Sequence, residues 1–499
     1  MNLNRNKLRA STNWLFWIFC ILVIRGLVLG FFLFQSYQLN PERIISGIGV
    51  QQNDYYMFLG VVDNYFKTGV YELYEGSNEA FAGRLPGYSM PYLILRYIFP
   101  QSISLGSLIL LQVLLSVVSV YLLGLLSIKW FKTEKYFIPV ILLFSISTYT
   151  SIFDLFTLAE SFSVSAVIFG FYFLTNGLLN QRKSYLFFAG FFIAWAIFLR
   201  PFLGLLILFM PIIIFVYLLK NHSHFRLFNS FKRVLLFVIP FIVFETIWIG
   251  RNYIEFNRFI PLETSLSESY GDFGLYGKAA LGIRKLINSY GGDSAEFRDG
   301  SDAWWFHHAT DKELDSFHFP EWIFEIEDVE KKSLIEIRNL YHQSIQNQES
   351  ELGQQANLKA ETLALQLSDN IRSSAPVRYY IVNNLLRARR FIFTNGTYLL
   401  PLPSFSEMTI LQKLIKLFYY ALYFMVLIFG LIGISARFVS IKDWRDLPLM
   451  LSVSLFLSLI IAVVFVGDII ENRYFISMYP FLLLLGGYSI GRFWKGLAR

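Results

Sequence analysis

The sequence predicts an all-α polytopic membrane protein, and three observations lead to that fold class. The chain of 499 residues is 55% hydrophobic and 18% aromatic, with a mean hydropathy of +0.48, a composition typical of integral membrane proteins. Apolar runs of helical length recur along the chain, and basic residues gather in alternate segments between them. The ten runs lie at approximately residues 14–34, 103–128, 136–152, 155–179, 184–199, 201–219, 234–250, 414–436, 447–466 and 474–491.

The first run is predicted to be a membrane helix that is retained in the protein and not cleaved as a signal peptide. It is too long for the core of a signal peptide, and no small-residue cleavage pattern follows Phe34. It holds the only cysteine of the chain, Cys20, which excludes an intramolecular disulfide and a multi-thiolate metal site. Several later runs are short for a span of about 20 residues, so the run boundaries are approximate.

Basic residues predict the orientation in the membrane. With the N-terminus inside, the cation-rich segments and the C-terminus all fall on the cytoplasmic side, and the outward segments hold far fewer cations. These cations therefore signal topology in the inner (plasma) membrane, with the lipid bilayer and no nucleic acid as partner. They are Arg5, Lys7, Arg9, Lys129, Lys132, Lys135, Arg182, Lys183, Lys220, Arg226, Lys232, Arg233, Arg437, Lys442, Arg445, Arg492, Lys495 and Arg499.

Three regions follow from this topology. Residues 1–250 form an N-terminal transmembrane domain that includes a first extracytoplasmic loop at 35–102, and residues 414–499 supply the C-terminal transmembrane helices. Between them, residues 251–413 form an extracytoplasmic region rich in Glu, Gln, Asn, Lys and Ser. Its apolar residues recur at helical spacing, for example from Leu334 onwards, which predicts amphipathic helices lying over the membrane domain.

The first extracytoplasmic loop is too long to be a simple connector, and it carries a candidate catalytic acid. Asp54 lies nearer the end of the first run than Asp63 does. If residues 54–67 are helical, nine positions at about 100° each put the two carboxylates on opposite faces. Asp63 is therefore predicted to be solvated or to cap a helix.

Short motifs along the rest of the chain occur in an order, and on a predicted side of the membrane, that are typical of one enzyme family. They are Arg84-Leu85-Pro86-Gly87-Tyr88, Leu158-Ala159-Glu160, Leu199-Arg200-Pro201, Gly250-Arg251-Asn252-Tyr253 and Glu471-Asn472-Arg473-Tyr474. With Asp54, they resemble the lipid-linked-sugar glycosyltransferases of the GT-C fold, in particular the group of bacterial aminoarabinose transferases and protein O-mannosyltransferases. The resemblance covers approximately residues 10–260 and 415–499. Tyr55 follows Asp54, so the Asp-Glu pair of the eukaryotic mannosyltransferases is absent, which favours the bacterial branch.

The resemblance implies a GT-C-like bundle of about ten transmembrane helices with a helical extracytoplasmic insertion. It also implies an inverting glycosyltransferase that moves a sugar from a polyprenyl-phosphate-linked donor to a hydroxyl of a lipid, glycan or protein acceptor on the extracytoplasmic side. Polyprenyl phosphate leaves without an enzyme proton, so one base suffices, unlike the paired carboxylates of most glycosidases. Asp54 is the expected catalytic base. The expected substrate-binding residues are Arg84, Tyr88, Glu160, Arg200, Arg473 and Tyr474.

Arginine suits a departing phosphate because its guanidinium offers bidentate hydrogen bonds. Each site residue also has a structural alternative. In these alternatives, Arg473 would pair with Glu471 at the membrane interface, and Arg84 would pair with a nearby carboxylate. In the same way, Arg200 would cap and kink a tight helix junction, and Glu160 would hold an arginine or stabilise its own helix dipole.

The sequence establishes no cofactor. No Walker A pattern occurs, so direct use of a cytosolic nucleotide is not expected. His307 and His308 are neighbours, and neighbours on a helix rarely face one ion, so no metal ligand is assigned. Some relatives use a divalent metal ion near the loop acid.

Two other functions stay open at this point. A transporter or flippase of lipid-linked saccharides would place ionisable residues near the midplane on several helices, whereas here they gather at one face, with Arg25 as the exception. An O-antigen polymerase or ligase would also use a polyprenyl-linked sugar. Its key basic and histidine residues would lie in large loops between later spans, without a leading acid in the first loop.

Overall fold

The computed structural model describes residues 13–52, 54–72, 85–221, 227–262, 277–294, 301–308, 319–326, 329–348, 350–439, 446–466 and 472–497. Within these residues the chain is almost entirely helical, and several helices are long and apolar enough to cross a membrane. The predicted class of all-α polytopic membrane protein is confirmed.

The described part of the chain contains eighteen α-helices. In chain order they are α1 Trp14–Leu39, α2 Val61–Thr68, α3 Ser89–Ile98, α4 Gln101–Phe131, α5 Phe137–Ile146, α6 Thr148–Ser151, α7 Glu160–Asn180, α8 Lys183–Leu199, α9 Leu206–Asn221, α10 Leu227–Phe256, α11 Lys278–Tyr290, α12 Asp302–His308, α13 Lys331–Gln346, α14 Glu351–Ser374, α15 Asn383–Phe393, α16 Ile410–Val439, α17 Leu447–Leu459 and α18 Tyr479–Leu497.

Shorter elements join these helices. A small antiparallel hairpin, β1 Ile44–Ile45 and β2 Gly49–Val50, pairs Ile44 with Val50. The π-helical segments are Tyr56–Gly60, Arg378–Val382 and Ile460–Val466. The 3₁₀ segments are Pro41–Arg43, Glu134–Tyr136, Ile152–Asp154, Pro201–Leu203, Glu321–Glu325, Gly396–Leu399 and Asn472–Ser477.

The ten predicted runs correspond to apolar helices of unequal length, and in the part of the chain that the structure describes, fewer than the predicted ten are long enough to span a membrane. Among the described residues, seven helices are long and apolar enough to span, or eight if α5 and the segment Thr148–Asp154 form one span bent by 54°. The other two runs are the shorter apolar helices α8 and Tyr479–Ile490. α8 has 17 residues, about 25 Å at 1.5 Å per residue, which is less than a hydrocarbon core of about 30 Å.

α7 is the central helix of the bundle. Of its most apolar stretch, 83% is buried, compared with 22% for α1 and for α10. Small residues bring neighbouring backbones together, as in other membrane bundles. A Cβ added at Gly190 of α8 would collide with the backbone of Phe237 in α10, and one added at Gly430 of α16 would lie 2.8 Å from the carbonyl oxygen of Leu482 in α18.

Helices α11 to α14 pack around a second hydrophobic core of their own. Leu334 and Ile337, on the apolar face expected from their spacing, are fully buried in that core. Trp305 is its largest buried side chain. This helical unit lies in the chain between α10 and α16, so it is an insertion between two membrane helices.

Candidate functional site

Asp54 and Arg473, 419 positions apart in the sequence, form an ion pair. Nη2 of Arg473 lies 2.8 Å from Oδ2 of Asp54. Asp54 lies in the turn before the π-helical segment Tyr56–Gly60, and Arg473 belongs to the 3₁₀ helix Asn472–Ser477 that leads into α18. The side chain of Arg473 is 16% exposed and that of Asp54 is 22% exposed, so solvent or a substrate reaches the pair.

A second carboxylate, that of Glu160, lies directly behind this pair. Glu160 is the first residue of α7 and is 1% exposed. Its Oε1 lies 3.4 Å from Nε of Arg473, and the same oxygen forms an ion pair with Nη2 of Arg200. The order Asp54, Arg473, Glu160, Arg200 therefore alternates carboxylate with guanidinium. This alternation compensates the burial of Glu160 and Arg200, and Asp54, the most exposed of the four, is 22% exposed.

Tyr474 holds both guanidinium groups from one side. Its ring centroid lies 5.5 Å from Cζ of Arg200 and 5.9 Å from Cζ of Arg473, within the range of cation–π attraction. Phe202 packs on Tyr474 at 4.6 Å between centroids, and Phe58 covers Arg200 at 5.4 Å. The aromatic rings thus fix the orientation of the arginines before any substrate binds.

The position of Arg200 follows from the proline after it. A residue that precedes proline avoids the helical region, and Arg200 is extended, with φ −147° and ψ 99°. α8 therefore ends at Leu199, and a 3₁₀ turn begins at Pro201. Arg200 consequently lies at a helix junction, as its structural alternative predicts. It also forms an ion pair with Glu160.

Tyr88 lies beneath the ion pairs, where it is buried and does not face an open surface. It is 1% exposed, and its ring packs on Phe58 and Phe162. Its hydroxyl donates to Oε1 of Gln112 at 2.5 Å. The preceding Gly87 allows the loop to approach α8 closely, because a Cβ there would lie 2.6 Å from the backbone nitrogen of Leu199. Tyr88 therefore supports the site through packing.

Gln112 is a buried hydrogen-bonding centre that the sequence analysis missed. Besides accepting from Tyr88, its Nε2 donates to the carbonyl oxygens of Phe153, Asp154 and Phe156 at 3.3, 3.1 and 3.0 Å. It thereby clamps the turn that leads from the bent helix to Glu160. The available signal was an amide inside the apolar run 103–128, since buried polar groups in membrane helices need partners.

We expect Gln112→Leu to lower the free energy of unfolding by about 1–3 kcal/mol, because it leaves a buried hydroxyl and buried carbonyls without their partner. The measurement is thermal unfolding of the purified protein in detergent. Gln354→Leu, at an exposed position of α14, is the matched control and should change stability by under about 0.5 kcal/mol. Equal effects of the two substitutions would contradict the clamp.

Arg25, the cation that the sequence places in the middle of the first membrane run, is paired with Asp154. Nε of Arg25 donates to Oδ2 of Asp154 at 2.8 Å, and Nη1 donates to the carbonyl of Phe144 at 3.1 Å. Ser161 donates to the other carboxylate oxygen at 2.6 Å. Both charged side chains are 1% exposed. The pair joins α1 to the turn before α7, so it is a structural link behind the site.

Asp63 forms a polar network of its own in the first loop. It accepts from Tyr92 at 3.2 Å and from Gln101 at 3.0 Å, and it lies 3.4 Å from Nε of Arg96. Burial raises the pKa of Asp63, and the charge of Arg96 opposes that rise. The expectation of a solvated or capping carboxylate was wrong because α3 and α4 cover this side of the loop with polar partners.

The remaining predicted residues are placed as follows. Arg84 and Glu471 lie outside the described residues. Among the residues that are described, no group of three His, Cys, Asp or Glu side chains is arranged to hold a metal ion. His307 packs edge-on against Tyr341 in the insertion core, where burial and then the charge of Arg284 hold the pKa of His307 well below its ordinary value.

No protein-family model and no curated protein matches the sequence. The backbone is similar to archaeal oligosaccharyltransferase AglB from Archaeoglobus fulgidus in complex with an inhibitory peptide and a dolichol-phosphate, at 13% identity and a TM-score of 0.47. It is also similar to the oligosaccharyltransferase of that organism in the apo form, at 11% identity and a TM-score of 0.48. Each alignment covers 97% of this chain and 51% of the other, so this chain spans about half the length of either protein.

Proposed function

We propose that this chain is an inverting membrane glycosyltransferase of the GT-C type. It moves a sugar from a polyprenyl-phosphate-linked donor to an acceptor hydroxyl on the extracytoplasmic side of the membrane. The observation that carries this proposal is the partly open carboxylate of Asp54, held 2.8 Å from the guanidinium of Arg473. A proton acceptor and a phosphate-binding cation are thereby presented side by side at the end of a membrane helix.

The reaction is a single displacement. The acceptor oxygen attacks the anomeric carbon, and its proton passes to the carboxylate of Asp54. The bond between the anomeric carbon and the phosphate oxygen breaks, and that oxygen keeps the electron pair as polyprenyl phosphate departs. Attack on the face opposite the leaving group inverts the anomeric configuration. Arg473 stabilises the charge that develops on the phosphate, as preorganised cations do in other transfers.

The other residues hold this pair in position. Glu160 binds two guanidinium groups, so it is poorly placed to act as a base and instead orients Arg473. Arg200 is 3% exposed and neutralises Glu160 from the buried side. Tyr474 is partly open beside Arg473, where its ring meets the sugar or the first isoprene unit. Arg84, which lies outside the described residues, remains the second candidate for the phosphate.

The donor set does not suit a divalent cation. Mg²⁺ and similar ions bind clusters of oxygen ligands, whereas Asp54 and Glu160 are the two carboxylates described at this site, and no group of three His, Cys, Asp or Glu side chains is found among the described residues. No step of the proposed reaction is routed through a metal. The positive charge that a metal supplies in phosphate chemistry is provided here by Arg473.

The test uses the purified full chain in nanodiscs with acceptor-containing membranes. Synthetic polyprenyl-monophosphate donors carrying a pentose or a hexose are supplied in parallel with a polyprenyl-diphosphate-linked glycan. We expect a monophosphate donor to be cleaved, with polyprenyl phosphate and glycosylated acceptor detected by mass spectrometry. Turnover of the diphosphate donor alone would instead indicate a polymerase or ligase. Movement of intact donor across the bilayer without cleavage would indicate a transporter.

A further inference from the structure

Residues 376–393 form one continuous amphipathic helix, here called the juxtamembrane helix, which combines a π-helical turn with α15. Its buried side carries Asn383, Arg387 and Phe391, spaced four residues apart. The opposite side exposes large apolar residues, with Ile381 55% and Leu385 65% exposed. An apolar face of this size on a helix between two domains requires something to cover it.

The buried side is fully engaged by the protein. Asn383 donates to the carbonyl of Ser289 at 2.6 Å, which ties the juxtamembrane helix to α11 of the insertion. On the other side, the ring of Phe391 packs edge-on against Phe475 at 5.4 Å between centroids. Phe475 follows Arg473 by two residues in the same 3₁₀ helix. The exposed apolar face therefore points away from both the insertion and the site.

The depth of this helix follows from two hydrogen bonds to α16. In the first, Gln412 near the start of α16 donates to Gln35 near the end of α1 at 3.0 Å. This hydrogen bond marks the level at which both helices end on the side of the site. Further along α16, the hydroxyl of Tyr423 donates to the carbonyl of Ile392 at 2.6 Å.

Eleven residues separate Gln412 from Tyr423, about 16 Å along a helix. A helical side chain leans back toward its N-terminus by several Å. Ile392 thus lies on the order of 10 Å deeper in the bundle than Gln412, an offset comparable with the roughly 5–10 Å by which interfacial helices bury their apolar face.

The juxtamembrane helix contacts α16 through the hydrogen bond of Tyr423, and α16 exposes apolar side chains of its own. α16 is a membrane-spanning candidate, and its first turns expose Ile410 and Leu414 at 80% and 58%. The juxtamembrane helix adds Phe393 at 47% and an exposed cation, Arg389, on the same side as Leu385. Apolar residues interspersed with arginine are typical of helices that lie in a membrane interface, where the cation meets lipid phosphates.

We propose that the juxtamembrane helix lies in the lipid leaflet on the side of the site, with Ile381, Leu385 and Phe393 among the acyl chains and Arg389 at the phosphates. The insertion is then anchored to the bilayer as well as to the bundle. Through the contact of Phe391 with Phe475, this placement sets the 3₁₀ helix that carries Arg473 at the level of lipid headgroups. The proposal concerns contact with lipid and does not depend on the reaction.

The test is spin-label accessibility in nanodiscs, in a Cys20→Ser background. Leu385→Cys is labelled with a nitroxide and compared with two exposed leucine positions: Leu417→Cys on α16 as the lipid reference and Leu358→Cys on α14 as the aqueous reference, 61% and 62% exposed respectively. We expect the Leu385 label to be accessible to oxygen and shielded from a water-soluble nickel chelate, as at Leu417.

A Leu385 label that behaves like the Leu358 label overturns the proposal, because the face is then in water. A label shielded from both probes also overturns it, since another protein surface then covers the face. Ile381→Cys, one helical turn away, repeats the measurement if Leu385→Cys does not give folded protein. The two reference labels report in each case whether the bundle and the insertion are intact.

Discussion

Asp54→Asn is expected to reduce sugar transfer from the lipid-linked donor by about 10²- to 10⁴-fold, the usual contribution of a general base, without unfolding the protein. The amide cannot take the acceptor proton. Its oxygen can still accept a hydrogen bond from Nη2 of Arg473, which lies 2.8 Å from the native carboxylate. The measurement is the initial rate of polyprenyl phosphate release, with the unfolding temperature determined on the same preparation.

Asp63→Asn is the matched control for this substitution. Asp63 lies in the same loop and is also partly buried, but it binds Arg96, Tyr92 and Gln101 and has no link to Arg473 among the described contacts. We expect its transfer rate to stay within a few-fold of the native rate. Equal rates for the two variants would show that Asp54 is not the base, even if the enzyme class is right.

The pairing of Asp54 with Arg473 illustrates what the sequence determines. Hydrophobic runs and flanking cations predict which loops share a side of the membrane, and both residues lie in segments between runs on the same predicted side. In a bundle of membrane helices, polar residues from the segments on one side lie in a single layer at that membrane surface. A carboxylate and an arginine in this layer are therefore close enough to form an ion pair. The structure joins them at 2.8 Å.

Which residues face each other inside that layer is a matter of helix packing, and the sequence does not specify it. Glu160 and Arg200 were both predicted to bind substrate, with an arginine as an alternative partner of Glu160, and the structure pairs the two with each other in a buried position. Tyr88 likewise packs beneath the site, with its hydroxyl bound by Gln112. These arrangements depend on the rotation of α4, α7 and α8 about their axes, which uniformly apolar runs leave undetermined because such runs lack a polar face.

The bend between α5 and α6 was missed for a similar reason. Residues 136–152 are continuously apolar or small, so the run predicted one straight span. The structure breaks it at Ser147, which has an extended backbone with ψ 119°, and the chain then turns by 54°. This bend carries Asp154 into the bundle, where it meets Arg25. A guanidinium buried in a membrane helix needs a partner, but only the bend reveals which residue it is.

Asp154→Leu is expected to lower the free energy of unfolding by about 3–5 kcal/mol, because it leaves the guanidinium of Arg25 buried without a counter-ion. Arg25 is 1% exposed and spans from α1 to this carboxylate, so α1 should loosen first. The measurement is the unfolding midpoint in detergent. Asp369→Leu, which removes an exposed carboxylate paired with Arg372, is the matched control and should cost under about 1 kcal/mol.

The double variant Arg25→Met with Asp154→Leu separates the worth of the pair from the penalty of breaking it. Removing both charges abolishes the free-energy cost of burying them. The unfolding midpoint of the double variant should therefore be close to that of the native protein and well above that of Asp154→Leu. A double variant as unstable as the single one would mean that Asp154 acts mainly through Ser161 and its own turn. A single variant as stable as Asp369→Leu would mean that water reaches Arg25, contrary to its burial in the bundle.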